Sequence, residues 1–339
     1  MTETAATDLP ATRRTHLVTG ATGQDGVWLS RQLVAAGHRV VGTSLTGTAG
    51  ERACYLDGVE LAPLDVRDQH AFADIVASVR PDVVHNLAAV TSVAASWDAA
   101  DEVEAVDGRA VEQMLEVLQS LGPGAPAFVH ASTSEIFGPV ADPAPVHEGT
   151  PLRPVSPYAE AKARAHVAVQ TARTAGLRAT NLVLFGHTSA LQPTHFAIPS
   201  IARQAAEVAL GLREEVRLRN PATRRDWGSA PDFVRSFAAA ADAIPGDYVI
   251  ATGTLHTLDE LGRWALSAAG APSGAVTGSG EPPPAHDFDH VRGDARRAAQ
   301  ALRWRPARTL REEVERMVDV ELRRLRTGTP ESVAYVQNA

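Results

Sequence analysis

The stretch GATGQDGVWL, residues 20–29, decides how the rest of the chain is read. Gly20, Gly23 and Gly26 follow the apolar run HLVT and precede a helical pattern, so the triplet sits at a strand–turn–helix junction. Missing side chains there let backbone amides approach a pyrophosphate, whose charge is favoured at a helix N-terminus. The spacing is G-x-x-G-x-x-G, one residue longer between the first two glycines than the dinucleotide pattern. A tight turn in another α/β fold uses the same glycines, so the loop alone leaves both readings open.

Working outward, short apolar runs alternate with longer helical ones from residue 16 to about residue 186. HLVTG, RVVGTS, VELAPLDV, DVVHNLAAV, AFVHAS and RATNLVLFG are rich in Val and Leu on consecutive positions, as in strands buried on both faces. QDGVWLSRQLVAAG, DQHAFADIVASV and EAVDGRAVEQMLEVLQSLG read as the intervening helices, the first ending at Gly37. Such alternation predicts an α/β fold: a Rossmann-like, doubly wound parallel sheet. Helical patterns at 198–211, 231–243, 257–270 and 308–326, with short strands EVRLRN and DYVIAT, predict a smaller mixed α/β C-terminal lobe. The expected division is an N-terminal arm at 1–14, a dinucleotide domain at 15–186 to which later elements return, a mainly substrate-binding lobe at 187–330 and a tail at 331–339. Residues 270–287, rich in Pro and Gly, read as a long loop.

The 339 residues are 44% hydrophobic and carry a formal net charge of -8, which speaks against a nucleic-acid surface. Cys54 is the only cysteine, so no intramolecular disulfide or cysteine-built metal site is available. The twelve histidines show no ligand spacing, and no metal is expected. No apolar run suggests a membrane span and the N-terminus lacks a signal-peptide core, so the expected location is cytoplasmic.

Cofactor choice is usually set after the second strand, by a carboxylate for NAD or an arginine for NADP. Here GTSLTGTAGER offers Thr43 and Ser44, with Arg52 more distant, and the choice stays open between NAD and NADP. Asp65 fits either an adenine-edge contact or a surface turn. Tyr158 and Lys162 stand at i, i+4 in SPYAEAKA, so one helix face presents both. A nearby ammonium is expected to lower the phenol's pKa of about 10 towards that of a working base. HASTSEIFG, 130–138, places Ser132, Thr133, Ser134 and Glu135 at a strand's carboxyl end, where such sheets bind ligands. Glu135 adds an acid/base group, or is a solvated loop carboxylate if it stands alone.

Taken together, GATGQDG, NLAAVTSVAASWD (86–98), VDG (106–108), STSEIFG, SPYAEAKA, RRDWGSAPDFV (224–234) and DYVIATGTLHTLDEL (247–261) resemble the extended short-chain dehydrogenase/reductases that act on nucleotide sugars. Within them the resemblance is to the GDP-mannose 4,6-dehydratase family, over nearly the whole chain. It implies a tightly bound NADP or NAD that is regenerated each turnover, a nucleotide-sugar substrate, and a homodimer or homotetramer. It assigns the 4-hydroxyl proton to Tyr158, the 4-keto oxygen to Thr133, ribose contact to Lys162, and C5 proton abstraction with protonation of the departing 6-hydroxyl to Glu135. Cofactor contacts are implied for Gly20, Thr22, Gly23, Gln24, Asp25, Gly26, Thr43, Ser44, Asp65, Val66, Leu87, Ala88, Ala89, Tyr158, Lys162 and His187. Substrate contacts are implied for Ser92, Ser134, Arg203 and Arg225. An epimerase, decarboxylase or 4-keto reductase of the same family is the alternative; a cofactor-binding regulator without turnover is opposed by the intact Tyr158–Lys162 pair.

The chain departs from that family's pattern at the substrate end. Gly186 stands where the family has asparagine, FAIPSI (196–201) lacks two basic residues and gains Pro199, and Pro284 falls near a family arginine. An arginine pair after the second strand is also missing. Losing arginine–phosphate pairs implies altered substrate recognition or replacement by neighbouring arginines such as Arg213, Arg217, Arg219 and Arg224.

Overall fold

The computed structural model describes residues 13–140, 144–272, 276–280 and 291–337. Its strands in chain order are β1 (Thr15–Thr19), β2 (Arg39–Ser44), β3 (Val59–Pro63), β4 (Val83–Asn86), β5 (Ala127–Thr133), β6 (Ala179–Leu184), β7 (Gly186–Thr188), β8 (Val216–Leu218), β9 (Arg224–Ser229), β10 (Asp247–Ile250), β11 (Leu255–Thr257) and β12 (Val276–Gly278). The helices are α1 (Gln24–Ala35), α2 (Gln69–Val79), α3 (Ala100–Val103), α4 (Ala110–Ser120), α5 (Pro157–Thr174), α6 (Ala197–Ala209), α7 (Ala230–Asp242), α8 (Leu258–Ala269), α9 (Arg296–Ala301) and α10 (Leu310–Thr327).

Seven strands form one sheet in the order β10-β6-β5-β4-β1-β2-β3, and every pairing in it is parallel. The order reverses between β1 and β4, which opens a crevice at their carboxyl ends. Two cores, one on each face, explain the continuous apolar runs: Val18, Val129 and Leu182 pack towards α1 and α7, and Leu17, Val84 and Phe128 towards α2, α4 and α5. β10 lies in the second half of the sequence and still completes this sheet. A third core gathers α6, α8 and α10.

Within the stretch expected to be a loop, 276–278 form β12 beside β8. Residues 281–290, including Pro284, lie outside the described residues, as do 1–12 of the expected arm. Residues 333–337 pack down, with Tyr335 and Val336 buried.

The turn after β1 is built on backbone contact. Gly20 has φ +68°, and a Cβ there would lie 2.9 Å from Ala88 Cα; one on Gly26 would lie 2.3 Å from the Gly20 carbonyl oxygen. Gly23 N donates to Gly20 O at 3.0 Å, and α1 starts at once with no side chain capping it. The helix ends as expected: Gly37 has φ +85°, Gly37 N donates to Val34 O and His38 N to Leu33 O. We expect Gly26→Ala to force the turn open and cost about 1–3 kcal/mol of stability. Urea denaturation checks this; an unchanged midpoint would mean the turn relaxes freely.

Candidate active site

Three elements converge on the crevice. The end of β5 brings Thr133, whose hydroxyl accepts from Glu135 N at 3.3 Å. The start of α5 brings Tyr158, because Ser156 caps the helix by accepting from Ala159 N at 3.1 Å and Pro157 opens its first turn. The Tyr158 phenol hydrogen-bonds Thr133. Tyr158 and Lys162 are both buried, on the inner face of α5.

Strand alternation corrects one expectation. Ser132 points away from the crevice, to His166 Nδ1 at 3.0 Å on α5, because adjacent strand residues face opposite sides. A second correction concerns charge. Burial pushes the Tyr158 phenol upward, the Asp107 carboxylate adds to this, and the Thr133 hydrogen bond only partly opposes it. Burial outweighs the lowering expected from Lys162; the Lys162 ammonium donates to Ala131 O at 2.6 Å, and burial lowers its own pKa against the pull of Asp107.

Asp107 is the residue the sequence reading left without a role. It sits in a π-turn, Glu104–Arg109, inserted between α3 and α4, fully buried. Its Oδ1 accepts from Val90 N at 2.8 Å and its Oδ2 has no hydrogen-bond partner. Burial raises its pKa to about 6 despite the opposing Lys162 charge. An acidic residue in an otherwise amphipathic helix was the available signal.

The implied cofactor contacts cluster around the glycine turn. Thr19 Oγ1 accepts from Leu87 N and Ala88 N at 3.2 Å each, fixing 87–89 beside it. Gln24 bonds Asp25 at 3.1 Å, Asp25 bonds His187 Nε2 at 2.8 Å, and Ser189 Oγ donates to Gln24 at 2.9 Å. Burial works against charge on His187, but Asp25 and the Phe185 carbonyl outweigh it and raise its pKa. Thr43 is buried, and its carbonyl accepts from Ala21 N at 3.0 Å. Val66 is buried, while Asp65 is held by Arg67 at 2.6 Å, as a turn residue would be. The uncapped α1 and the tight, side-chain-free turn fit the pyrophosphate of a dinucleotide.

A cavity of about 300 Å³ is lined by Ser134, Glu135, Gly186, Arg219, Arg225 and Trp227, among others. Arg203 is not among its walls. It is tied to Glu207 at 2.9 Å and Glu321 at 3.3 Å and lines a neighbouring cavity of about 570 Å³ with Arg213, Arg217 and Arg219. Ser92 lies on the loop after β4, where its Oγ accepts from Ala95 N at 3.2 Å. At 186 a Cβ would come within 2.4 Å of Trp227, so the indole fills the space a longer side chain would need. Asp226 of the RDWG block is a clamp, accepting from Thr252 N, Gly253 N and Gly293 N at 2.9–3.1 Å. Among the described residues no cluster of metal-ligating side chains is present, and no helix is long and apolar enough to cross a membrane.

Asp107 generates a test. A carboxyl raised to about 6 in the fold binds protons the unfolded chain has released, so it favours folding at low pH and loses about 3 kcal/mol of that as pH rises from 4 to 6. Asp107→Asn keeps the acceptor for Val90 and should remove that slope, read as denaturation midpoints at pH 4.5 and 7. It should also move the alkaline limb of any activity profile to lower pH, because Lys162 loses the charge that supports its own. A variant matching the parent in both would exclude the pairing.

The sequence profile of the family described as GDP-mannose 4,6 dehydratase matches residues 17–317. A GDP-mannose 4,6-dehydratase of Sinorhizobium fredii (strain HH103) is 32% identical over 345 residues, covering 93% of this chain and 98% of that protein. RMD from Pseudomonas aeruginosa complexed with NADPH shares the fold with TM-score 0.76 at 21% identity, covering 92% of this chain and 98% of that one. A dTDP-glucose 4,6-dehydratase from Bacillus anthracis in complex with NAD does so with TM-score 0.78 at 16% identity, covering 93% and 98%. The chain belongs to the GDP-mannose 4,6-dehydratase family of nucleotide-sugar dehydratases.

Proposed function

We propose that this chain converts a nucleoside-diphosphate hexose to its 4-keto-6-deoxy sugar, with Thr133, Glu135, Tyr158 and Lys162 as the working residues. The observation that carries the reading is that Glu135 lines a cavity with Arg219 and Arg225, while Thr133, two residues before it, bonds the Tyr158 phenol. Lys162 adds a compositional argument: it is the only lysine in the chain, every other fixed cationic side chain being arginine. A compact ammonium suits a buried spot under a carbonyl that a planar guanidinium does not fill.

A nicotinamide dinucleotide, NAD or NADP, would be held at the Gly20–Gly26 turn and would supply reversible hydride acceptance, so that oxidation at C4 and reduction at C6 need no other redox partner. The chain's own groups handle protons and position. Tyr158 takes the 4-hydroxyl proton as a phenolate, having first released its own proton to solvent; burial holds that equilibrium towards the phenol, so only the ionised fraction acts. Thr133 donates to the 4-keto oxygen, which acidifies the C5 hydrogen. Glu135 removes that proton and delivers it to the departing 6-hydroxyl as water, and the proton that Tyr158 took from the 4-hydroxyl goes to C5 as C6 is reduced, so the proton count balances. Lys162 holds a ribose hydroxyl, and Arg219 and Arg225 face the diphosphate end. In this reading residues 187–330 are mainly the substrate lobe, and the assembly is a homodimer or homotetramer.

With GDP-mannose and other nucleotide sugars, the purified chain should yield a product lighter by one water. Glu135→Gln should lower that yield at least about a hundredfold, while hydrogen at C4 still exchanges with labelled cofactor. Full dehydration by the variant would remove Glu135 from the scheme. A parent product of unchanged mass would instead mark an epimerase.

A further inference from the structure

We infer that the C-terminal segment, residues 329–337, works as part of the dinucleotide site: through Glu331 and Arg52 it fixes the glycine turn and so sets the affinity for the cofactor. The inference rests on the dinucleotide part of the proposed function and adds two positioning residues that act through the turn.

Arg52 lies in a 3-10 turn, Gly50–Tyr55, between β2 and β3. Its Nη1 donates to Thr22 O at 2.7 Å and its Nη2 to Leu191 O at 2.6 Å, so one guanidinium ties the glycine turn to the loop after β7. The Thr22 carbonyl shares a planar trans peptide with the Gly23 N–H, which points the opposite way. Holding that carbonyl on Arg52 therefore fixes the direction of the Gly23 amide, which donates to Gly20 O at 3.0 Å. Helix α1 starts at the next residue, Gln24, so the same contact aims the helix amides that would meet an anion.

Two neutral carbonyls leave the charge of Arg52 unmatched. Glu331 supplies the match, with Oε1 at 3.8 Å from Arg52 Nε. Both side chains are largely shielded from solvent, where a counter-charge weighs more than at the surface. The carboxylate is fixed in turn. Tyr55 OH donates to its Oε2 at 2.6 Å and accepts from Ser332 N at 3.1 Å. Arg324 of α10 donates to the same Oε2 at 3.2 Å, to Pro330 O at 2.9 Å and to Ala190 O at 3.0 Å. It thus joins the segment to the loop that Arg52 grips. Beyond Glu331, Tyr335 and Val336 are buried, and Arg316 donates to Gln337 O at 2.9 Å. The chain end is therefore docked by its own contacts, and it reaches the glycine turn through a single pair.

The test combines binding with hydrogen exchange on the full chain, stripped of any carried-over nucleotide. NADH and NADPH are titrated separately, and whichever binds the parent more tightly is used throughout. Glu331→Gln keeps the length and an acceptor oxygen but removes the charge, and should weaken binding about tenfold. Arg52→Gln should weaken it at least as much. The double variant should lose no more than about threefold beyond Arg52→Gln, because both changes act through one contact. A pair that merely stabilised the fold would shift the urea midpoint and leave the dissociation constant unmoved. Coupling is reciprocal, so the bound dinucleotide should slow amide exchange at residues 331–337 at least about threefold in the parent and less in Arg52→Gln. Unchanged affinity in either single variant, additive losses in the double variant, or exchange indifferent to the dinucleotide each overturns the inference and leaves the dehydratase reading standing. A parent that binds neither nucleotide overturns both.

Discussion

Everything at the crevice depends on how closely backbone approaches backbone beneath it. Gly20 lies against Ala88 and Gly26 against the Gly20 carbonyl, distances that no side chain tolerates. This contact brings the ends of β1 and β4 and the first turn of α1 to one point. Thr19 secures it by taking the amides of Leu87 and Ala88 and donating to Asn86 at 2.7 Å. Arg52 reinforces it from outside through Thr22 and Leu191. Because the turn is packed on all sides, the helix amides it aims are held in place before any anion arrives, and little ordering is left for binding to impose.

The proton-handling groups follow a different logic, in which burial and charge oppose one another. Burial keeps the Tyr158 phenol protonated and draws charge out of Lys162, while Asp107 pulls the lysine back. Asp107 carries a cost of its own, visible in its raised pKa and its unpartnered oxygen. It also fixes Val90, so one carboxylate serves both the electrostatics of α5 and the path of the loop after β4. The π-turn that places it inserts one residue into the helix, which redirects the side chain without breaking the helix.

Much of this was legible in the sequence, for reasons that can be named. Parallel strands buried on both faces need unbroken apolar runs, and the runs predicted as strands are strands. Gly37 announces the end of α1, and Ser156-Pro157 the start of α5, because caps are local chemistry. The i, i+4 spacing put Tyr158 and Lys162 together. What stayed hidden depends on distant partners. The phenol's pKa is set by burial that no local spacing encodes. Arg203 is taken by Glu207 and Glu321, one of them on α10, far along the chain. Ser132 was missed for a simpler reason: the stretch was read as a block, although strand alternation already divides it. Trp227 over Gly186 pairs two strands separated by residues 189–223 and could be seen only in space.

The solitary lysine has a practical side. Reagents that acylate primary amines normally scatter over a protein's surface, but here the chain offers them a single side-chain amine and the terminus. That amine is 3% exposed and donates to a carbonyl, so the folded molecule should be nearly inert to such reagents. Whatever slow acylation occurs at residue 162 then times the opening of the crevice, a built-in reporter that needs no engineered label.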